Sequence, residues 1–372
     1  MIMNLTTDRI SKRNKVFAYN VPEVTLPTTL KVLFKLIQFT LSLDFGVYKY
    51  KTFKMKCVAK VLTLAGCLAA SAACVSLIIS NIFENQLFFG WYTLFVCQYT
   101  IVIFMFTFSN GMTFIDYKMM LLRFDAKYQI DSNVYHFNIK IVLVVVISVT
   151  SRLFLCAVYC IYSTENCIKP WYNQLLFFPW LSLDIVLIMN MFLFYATYCR
   201  LAKFPSLFEN PKNVVPLRNS YKLIVDSLEK TKKSFDAVLI AALIFNIPEI
   251  MMSIYYTLFQ VMNKHFQEVA PVLSLSYFTI ILSVLLILAP SLCAGVLPWK
   301  TRHMRLILLE KLFAEKDKNS AREIELFIKY IEARPLQLRA CNLVPLDFNL
   351  PVIVLNLCIT YLIVIIQFTH LF

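Results

Sequence analysis

Apolar runs of membrane length recur along this chain, separated by short polar breaks. Seven are long enough to span a bilayer: approximately Cys57 to Ser80, Leu87 to Ser109, Ile139 to Tyr162, Trp171 to Tyr198, Phe235 to Met262, Val269 to Leu297 and Leu350 to Thr369. An eighth run, Leu30 to Phe45, carries Lys31, Lys35 and Asp44 at helical spacing. It predicts an amphipathic helix lying against the inner surface, in preference to a re-entrant segment.

Two stretches between the later spans follow an amphipathic pattern. Residues 200–233 hold Pro205, Pro211 and Pro216, then a helical run from Asn219 to Lys233 that continues into the fifth span. Residues 300–347 predict two short helices. Met304, Leu306, Leu308, Leu309, Leu312 and Phe313 form the apolar face of one; the other starts at a capping box, Ser320-Ala-Arg-Glu323, and carries Ile324, Leu326, Phe327, Tyr330 and Ile331. Such helices must pack on something, and the inner ends of the long spans are nearest. The expected fold is therefore an all-α membrane protein with seven transmembrane helices and a cytosolic helical anchor layer. Residues 1–56 form a cytosolic N-terminal region, 57–298 the first six spans (with 199–234 contributing to the anchor), 299–349 the anchor helices and 350–372 the seventh span.

Composition agrees with this pattern. At 59% hydrophobic residues, 15% aromatic residues and a mean hydropathy of +0.67, the chain holds more apolar surface than a soluble domain can bury. Charge sets the orientation. Of the 36 lysines and arginines, Lys169 and Lys264 fall in the loops after spans three and five and Arg152 lies inside a span; the others lie on the opposite side. The positive-inside rule then makes the N-terminus cytosolic and the C-terminus extracellular, the reverse of a G-protein-coupled receptor. The net charge of +14 reflects this topology and attraction to anionic lipid, without need of nucleic acid.

The first 28 residues lack the apolar stretch of a cleavable signal, and the Asn4-Leu5-Thr6 sequon is expected to stay unglycosylated on the cytosolic side. Cys160 and Cys167 form the plausible external disulfide pair, with buried reduced thiols the favoured reading. There is no Gly-rich phosphate loop, no His-Glu-x-x-His and no spaced Cys/His cluster, and His136, His265, His303 and His370 are scattered. Neither catalysis, nor a metal site, nor a cofactor is expected. The absence of an internal repeat weighs against a secondary transporter.

Polar groups at membrane depth are costly and mark candidate sites. Taking about 1.5 Å of rise per residue and an apolar thickness of about 30 Å, Arg152 and Glu249 fall roughly 18 to 20 Å from the inner face and Asp184 nearer 12 Å. Depth alone favours Glu249 as the partner of Arg152, and snorkelling leaves Asp184 possible. Gln98, Trp180 and Tyr277 come out at comparable depth, and Asn246 lies one turn below Glu249 with Pro248 between them. This set of seven has the composition of a small-molecule pocket, and equally of polar contacts that only hold helices together. Trp91, Tyr92 and Trp171 fit the outer aromatic belt.

The last span ends Thr360-Tyr361-Leu-Ile-Val-Ile-Ile-Gln367-Phe368, and Ala340-Cys341-Asn342-Leu343-Val344-Pro345-Leu346-Asp347-Phe348 leads into it. The first string resembles the signature that closes the last helix of insect gustatory receptors, and the second is similar to the segment preceding that signature. The lead-in usually has glycine where this chain has Asn342; asparagine tolerates a left-handed backbone, so the turn is expected to survive.

The resemblance implies a tastant-gated, nonselective cation channel in the plasma membrane. It would be a homo- or heterotetramer with other gustatory receptor subunits, with four copies of the last helix around the pore and the ligand bound between helices. A metabotropic receptor and a secondary transporter are the alternatives. Nothing marks the sugar or carbon dioxide subfamilies, so a bitter compound is preferred over a sugar as the tastant. Thr360, Val364, Gln367 and Leu371 share one helix face, with Tyr361, Ile365 and Phe368 on the adjoining stripe. Gln367 lies about 24 Å from the inner end, close to the outside. The resemblance makes Gln367 and Phe368 the proposed gate, with Val364, Leu371 and Thr360 on the pore face. Thr360 and Tyr361, at greater depth, suit packing and coupling. The plainer reading of the same pair is a helix cap and a belt residue.

Overall fold

Helices continue well past the apolar runs that seed them, and this carries the membrane bundle directly into an extramembrane layer. The structure, a computed structural model, describes residues 27–41, 43, 45, 53–80, 96–105, 107, 113–128, 134–162, 170–208, 214–263 and 266–368. Cys160 belongs to a described helix, but its side chain, like Cys167 and Leu371, lies outside what is described.

The elements in order are α1 (Thr28–Leu41), α2 (Phe53–Ser80), α3 (Val96–Met105), α4 (Phe114–Lys127), α5 (Val134–Tyr162), α6 (Pro170–Leu201), α7 (Phe204–Leu207), α8 (Val214–Asn263), α9 (Phe266–Ala314), α10 (Lys318–Ala333), β1 (Arg339–Ala340), β2 (Val344–Pro345) and α11 (Asn349–Phe368). The fold is an all-α membrane fold, in which α2, α3, α5, α6, α8, α9 and α11 fall on the seven apolar stretches. Among the described residues, Leu181–Leu207, Phe235–Tyr255 and Ile280–Ala314 are long and apolar enough to cross a membrane by themselves.

α8 and α9 are continuous helices of 50 and 49 residues. At about 1.5 Å per residue each runs about 75 Å, more than twice the roughly 30 Å of hydrocarbon. The apolar face around Met304 is thus the far end of α9, not a separate short helix. Met304 and Leu308 are fully buried there, which rewards propagation over a break. The start of α10 also differs from expectation. Asp317, not Ser320, is the N-cap, its carboxylate accepting the Asn319 and Ser320 amides. Those amides hold the Asp317 carboxyl below its usual range. Glu323, freed from a capping role, pairs with Arg218 at 2.7 Å. α10 buries Ile324, Phe327, Ile328 and Ile331, while Leu326 faces outward.

α1 buries Leu30, Phe34 and Ile37 and leaves Lys31 and Lys35 exposed. Phe34 meets Phe45 and Phe114 at ring distances of 5.4 and 5.8 Å, which docks α1 against the start of α4. Beneath the spans an aromatic core joins four helices. Phe124 of α4 stacks on Phe204 of α7 at 5.6 Å, Phe204 meets Tyr221 of α8, and Tyr221 meets Phe327 and Tyr330 of α10.

The segment leading into α11 is a minimal antiparallel hairpin, with Ala340 opposite Val344. Its turn closes through a 2.9 Å bond from the Leu343 amide to the Ala340 carbonyl. Cys341 and Asn342 both have positive φ, 47° and 60°, as a type I′ turn requires. Asn342 thus does what its tolerance of left-handed backbone allows. Past the hairpin, the Asp347 carboxylate accepts the Asn349 amide at 2.9 Å and starts α11.

Gly295 of α9 lets this link pass. A Cβ there would stand 3.1 Å from the Phe348 backbone nitrogen and 3.2 Å from two of its ring carbons. Gly295→Val is expected to cost about 1 to 3 kcal/mol by overpacking, seen as a lowered midpoint in a thermal scan of purified protein. Gly295→Ala should cost less and recover in part with Phe348→Ala. Equal midpoints for Gly295→Val and wild type would show that the approach carries no constraint.

Candidate functional site

Two groups of buried polar residues take up the polar positions at membrane depth that the sequence marks. α5 presents Ser148 and Arg152 one turn apart, hence on one face. Opposite them α6 presents Asp184, and α9 presents Ser283. Arg152 donates from Nε to Asp184 Oδ2 at 2.7 Å and from Nη2 to Oδ1 at 3.0 Å, a bidentate pair. Ser148 adds a hydroxyl to Asp184 at 3.3 Å, and Arg152 Nη2 reaches Ser283 at 3.4 Å. All four residues are buried. Arg152 is thus paired with Asp184, the partner that depth alone ranked second. α5 and α6 are packed neighbours, and a long arginine stem covers the offset in depth.

The second group joins α3 to α8. Gln98 donates through Nε2 to Asn246 Oδ1 at 2.6 Å, with both residues buried. Tyr277 is half exposed on α9. Trp180 and Glu249 belong to described helices, but their side chains lie outside the described residues.

α11 is attached on one side only. Among its described residues Leu350, Val354 and Cys358, at i, i+4 and i+8, are the buried ones, and it packs against α8 and α9. Thr360, Val364 and Gln367 are exposed in the single chain, as are Val352, Ile353, Leu355, Leu357, Ile359 and Ile363. Thr360 returns its hydroxyl to the Asn356 carbonyl at 2.8 Å, so its side chain stays on its own helix. Tyr361 is 52% exposed and does not pack into its own bundle as a helix-gluing residue would. Phe368 ends the helix; its side chain lies outside the described residues, and so does Leu371.

A charged cluster joins α4 to α6. Arg200, at the end of α6, holds Asp125 of α4 through Nη2–Oδ2 at 2.6 Å and Nε–Oδ1 at 3.2 Å, and its Nη1 reaches the Ala196 carbonyl at 3.3 Å. Tyr117 bonds Thr197 at 2.6 Å, and Tyr128 bonds Ser220 of α8 at 2.8 Å. Lys118 is buried beside the Arg200–Asp125 pair. Burial, reinforced by the Arg200 charge and opposed by Asp125, lowers its ammonium to about 7. A sequence signal for this was present: Phe114, Lys118, Leu121 and Asp125 share one helix face, mixing charge into an apolar stripe. Among the described residues, no group of histidine, cysteine and carboxylate side chains could hold a metal ion.

Residues 206–371 match a family model described as the 7tm chemosensory receptor. No curated protein matches the chain. Among solved structures, the insect olfactory receptor OR5 from Machilis hrabei aligns with a TM-score of 0.60 at 13% identity, over 91% of this chain and 98% of that one. At that identity the likeness is one of fold.

Proposed function

We propose that this chain, whose family match and fold support the insect chemoreceptor family and no enzyme family, is a gustatory receptor that opens a nonselective cation pore when it binds a tastant. The observation that carries the reading is the one-sided attachment of α11. A helix held by a single buried stripe, with its Thr360, Val364 and Gln367 face open, is suited to line a shared axis with copies of itself in a tetramer. The layer beneath the spans, continuous with α8 and α9, supplies a cytosolic anchor for such an assembly in the plasma membrane.

In this reading the tastant binds among α3, α5, α6, α8 and α9 near the two polar groups, with a bitter compound preferred over a sugar. The closed pore is a ring of apolar side chains at the outer end of α11, impassable through dewetting. Rotation that replaces Phe368 by Gln367 at the constriction gives ions a polar lining. Receptor-expressing cells screened by calcium imaging against sugars, alkaloids and amino acids should respond to one class. An epitope at the C-terminus should be detected without permeabilisation; an inaccessible epitope would favour a metabotropic receptor. Uptake without conductance would favour a transporter.

In responding cells, Gln367→Ala and Phe368→Ala are each expected to change the sodium-to-calcium permeability ratio or the basal current severalfold. If both variants reach the surface with wild-type selectivity and basal current, the gate lies elsewhere.

A further inference from the structure

α8 grips the backbone that leads into α11. Lys232 and Asp236, one turn apart and almost fully buried, form an ion pair at 3.2 Å. The Lys232 ammonium also donates to the Arg339 carbonyl, and the Cys341 backbone amide faces the Asp236 carboxylate. The pair therefore holds the β1 backbone by a hydrogen bond at Arg339 and sets a carboxylate against the amide of the turn that follows. Lower on the same helix, Asp226 and Glu229 hold Arg334, the C-cap of α10, which fixes the start of the link. A hairpin with two residues per strand has little stability of its own, so its position is set by whatever holds it.

The other side of the link is built differently. Phe348 passes over Gly295 of α9, a contact without a side chain on the α9 side, which resists sliding less than an interdigitated one. The link is held to α8 by charge, and on α9 Phe348 rests over Gly295. α8 also carries Asn246, ten residues or about 15 Å above Asp236. No proline interrupts that interval, since Pro248 lies beyond it. The Gln98–Asn246 contact and the hairpin are thus two stations on one unbroken rod.

We propose that Lys232 and Asp236 are positioning residues, a latch through which displacement of α8 at the Gln98–Asn246 contact is delivered to the hairpin and so to the angle of α11. The proposal rests on reading α11 as the pore helix and adds how the ligand level reaches it. Its signature is a coupling between two sites that share no contact, present only while the latch is intact.

Hydrogen exchange of the full chain in lipid nanodiscs reads that coupling without an agonist. Asn246→Ala is expected to speed amide exchange across residues 338–348 at least fivefold. In a Lys232→Met or an Asp236→Asn background the same change should add less than twofold, and Lys232→Arg should restore the response. Gln98→Ala, which breaks the same contact from α3, should repeat the pattern, and either latch variant suffices if the other fails to fold. The latch is overturned if Asn246→Ala leaves the hairpin unchanged in the wild-type background. It is equally overturned if the full factor persists without the latch, as it would if Lys232 and Asp236 were only structural. Because exchange needs no current, an electrically silent chain with the coupling present would count against the channel and leave the latch standing.

Discussion

Asp184→Ala is expected to remove nearly all of the protein from the cell surface. The change leaves the Arg152 guanidinium buried without the carboxylate that takes two of its hydrogen bonds. Breaking a buried pair from one side costs about 3 to 5 kcal/mol, because the remaining charge loses its counter-ion in a site closed to water. Total stabilities are about 5 to 15 kcal/mol, so that loss takes a large part of the whole. Removing both charges is a different case. Arg152→Leu with Asp184→Leu trades the pair for apolar side chains of similar volume and should bring the protein back to the surface. Flow cytometry against a C-terminal epitope measures this directly, and equal surface levels for the single and double variants would show that the pair is not a stability determinant. The double variant also separates two roles. If the pair touches the proposed ligand, the rescued protein will reach the surface without a calcium response; if it only joins α5 to α6, any response of the wild type will return with expression.

What the sequence makes legible follows from how local each constraint is. The spans can be read because hydrocarbon demands a long apolar run from each helix separately. The turn at Asn342 can be read because left-handed backbone is a property of one residue and its sterics. Asp184 as the partner of Arg152 is harder, because depth is encoded along a helix while partner choice depends on which helices are neighbours. Helix continuity is also poorly encoded. The amphipathic run at Met304 suggests a new helix, yet α9 has no reason to stop where its membrane half and its extramembrane half each bury one face, Ala294 and Leu297 in the first and Met304 and Leu308 in the second. α4 is masked in the sequence because its buried face carries Lys118 and Asp125, which break the apolar period of an amphipathic helix. The face of α11 was legible as a spacing, but its openness on three sides is a property of the folded chain.

The same mixed face on α4 yields a second large effect, with a pH signature. Asp125→Asn is expected to release α4 from α6 at neutral pH, since Arg200 and Lys118 then share a buried site without the carboxylate that offsets them. The cost is again about 3 to 5 kcal/mol, and adding Arg200→Met should return much of it. Lys118 makes wild-type stability depend on pH in a definite direction. Its folded value, about 7, lies below the ordinary lysine value of 10.5. Between those two limits the unfolded chain binds a proton that the folded chain does not, so stability rises with pH across the window. The slope is up to about 1.4 kcal/mol per pH unit. Below about 7 both states are protonated, the burial cost is at its full value and the dependence flattens. Lys118→Met removes the group. It should stabilise the protein most at and below neutral pH, and its advantage over wild type should shrink as pH climbs towards 10. Thermal unfolding of both proteins from pH 6.5 to 9.5 gives that difference with other titrations common to the pair. A constant difference would mean that Lys118 keeps its proton throughout, and that the ammonium is compensated within the layer beneath the spans.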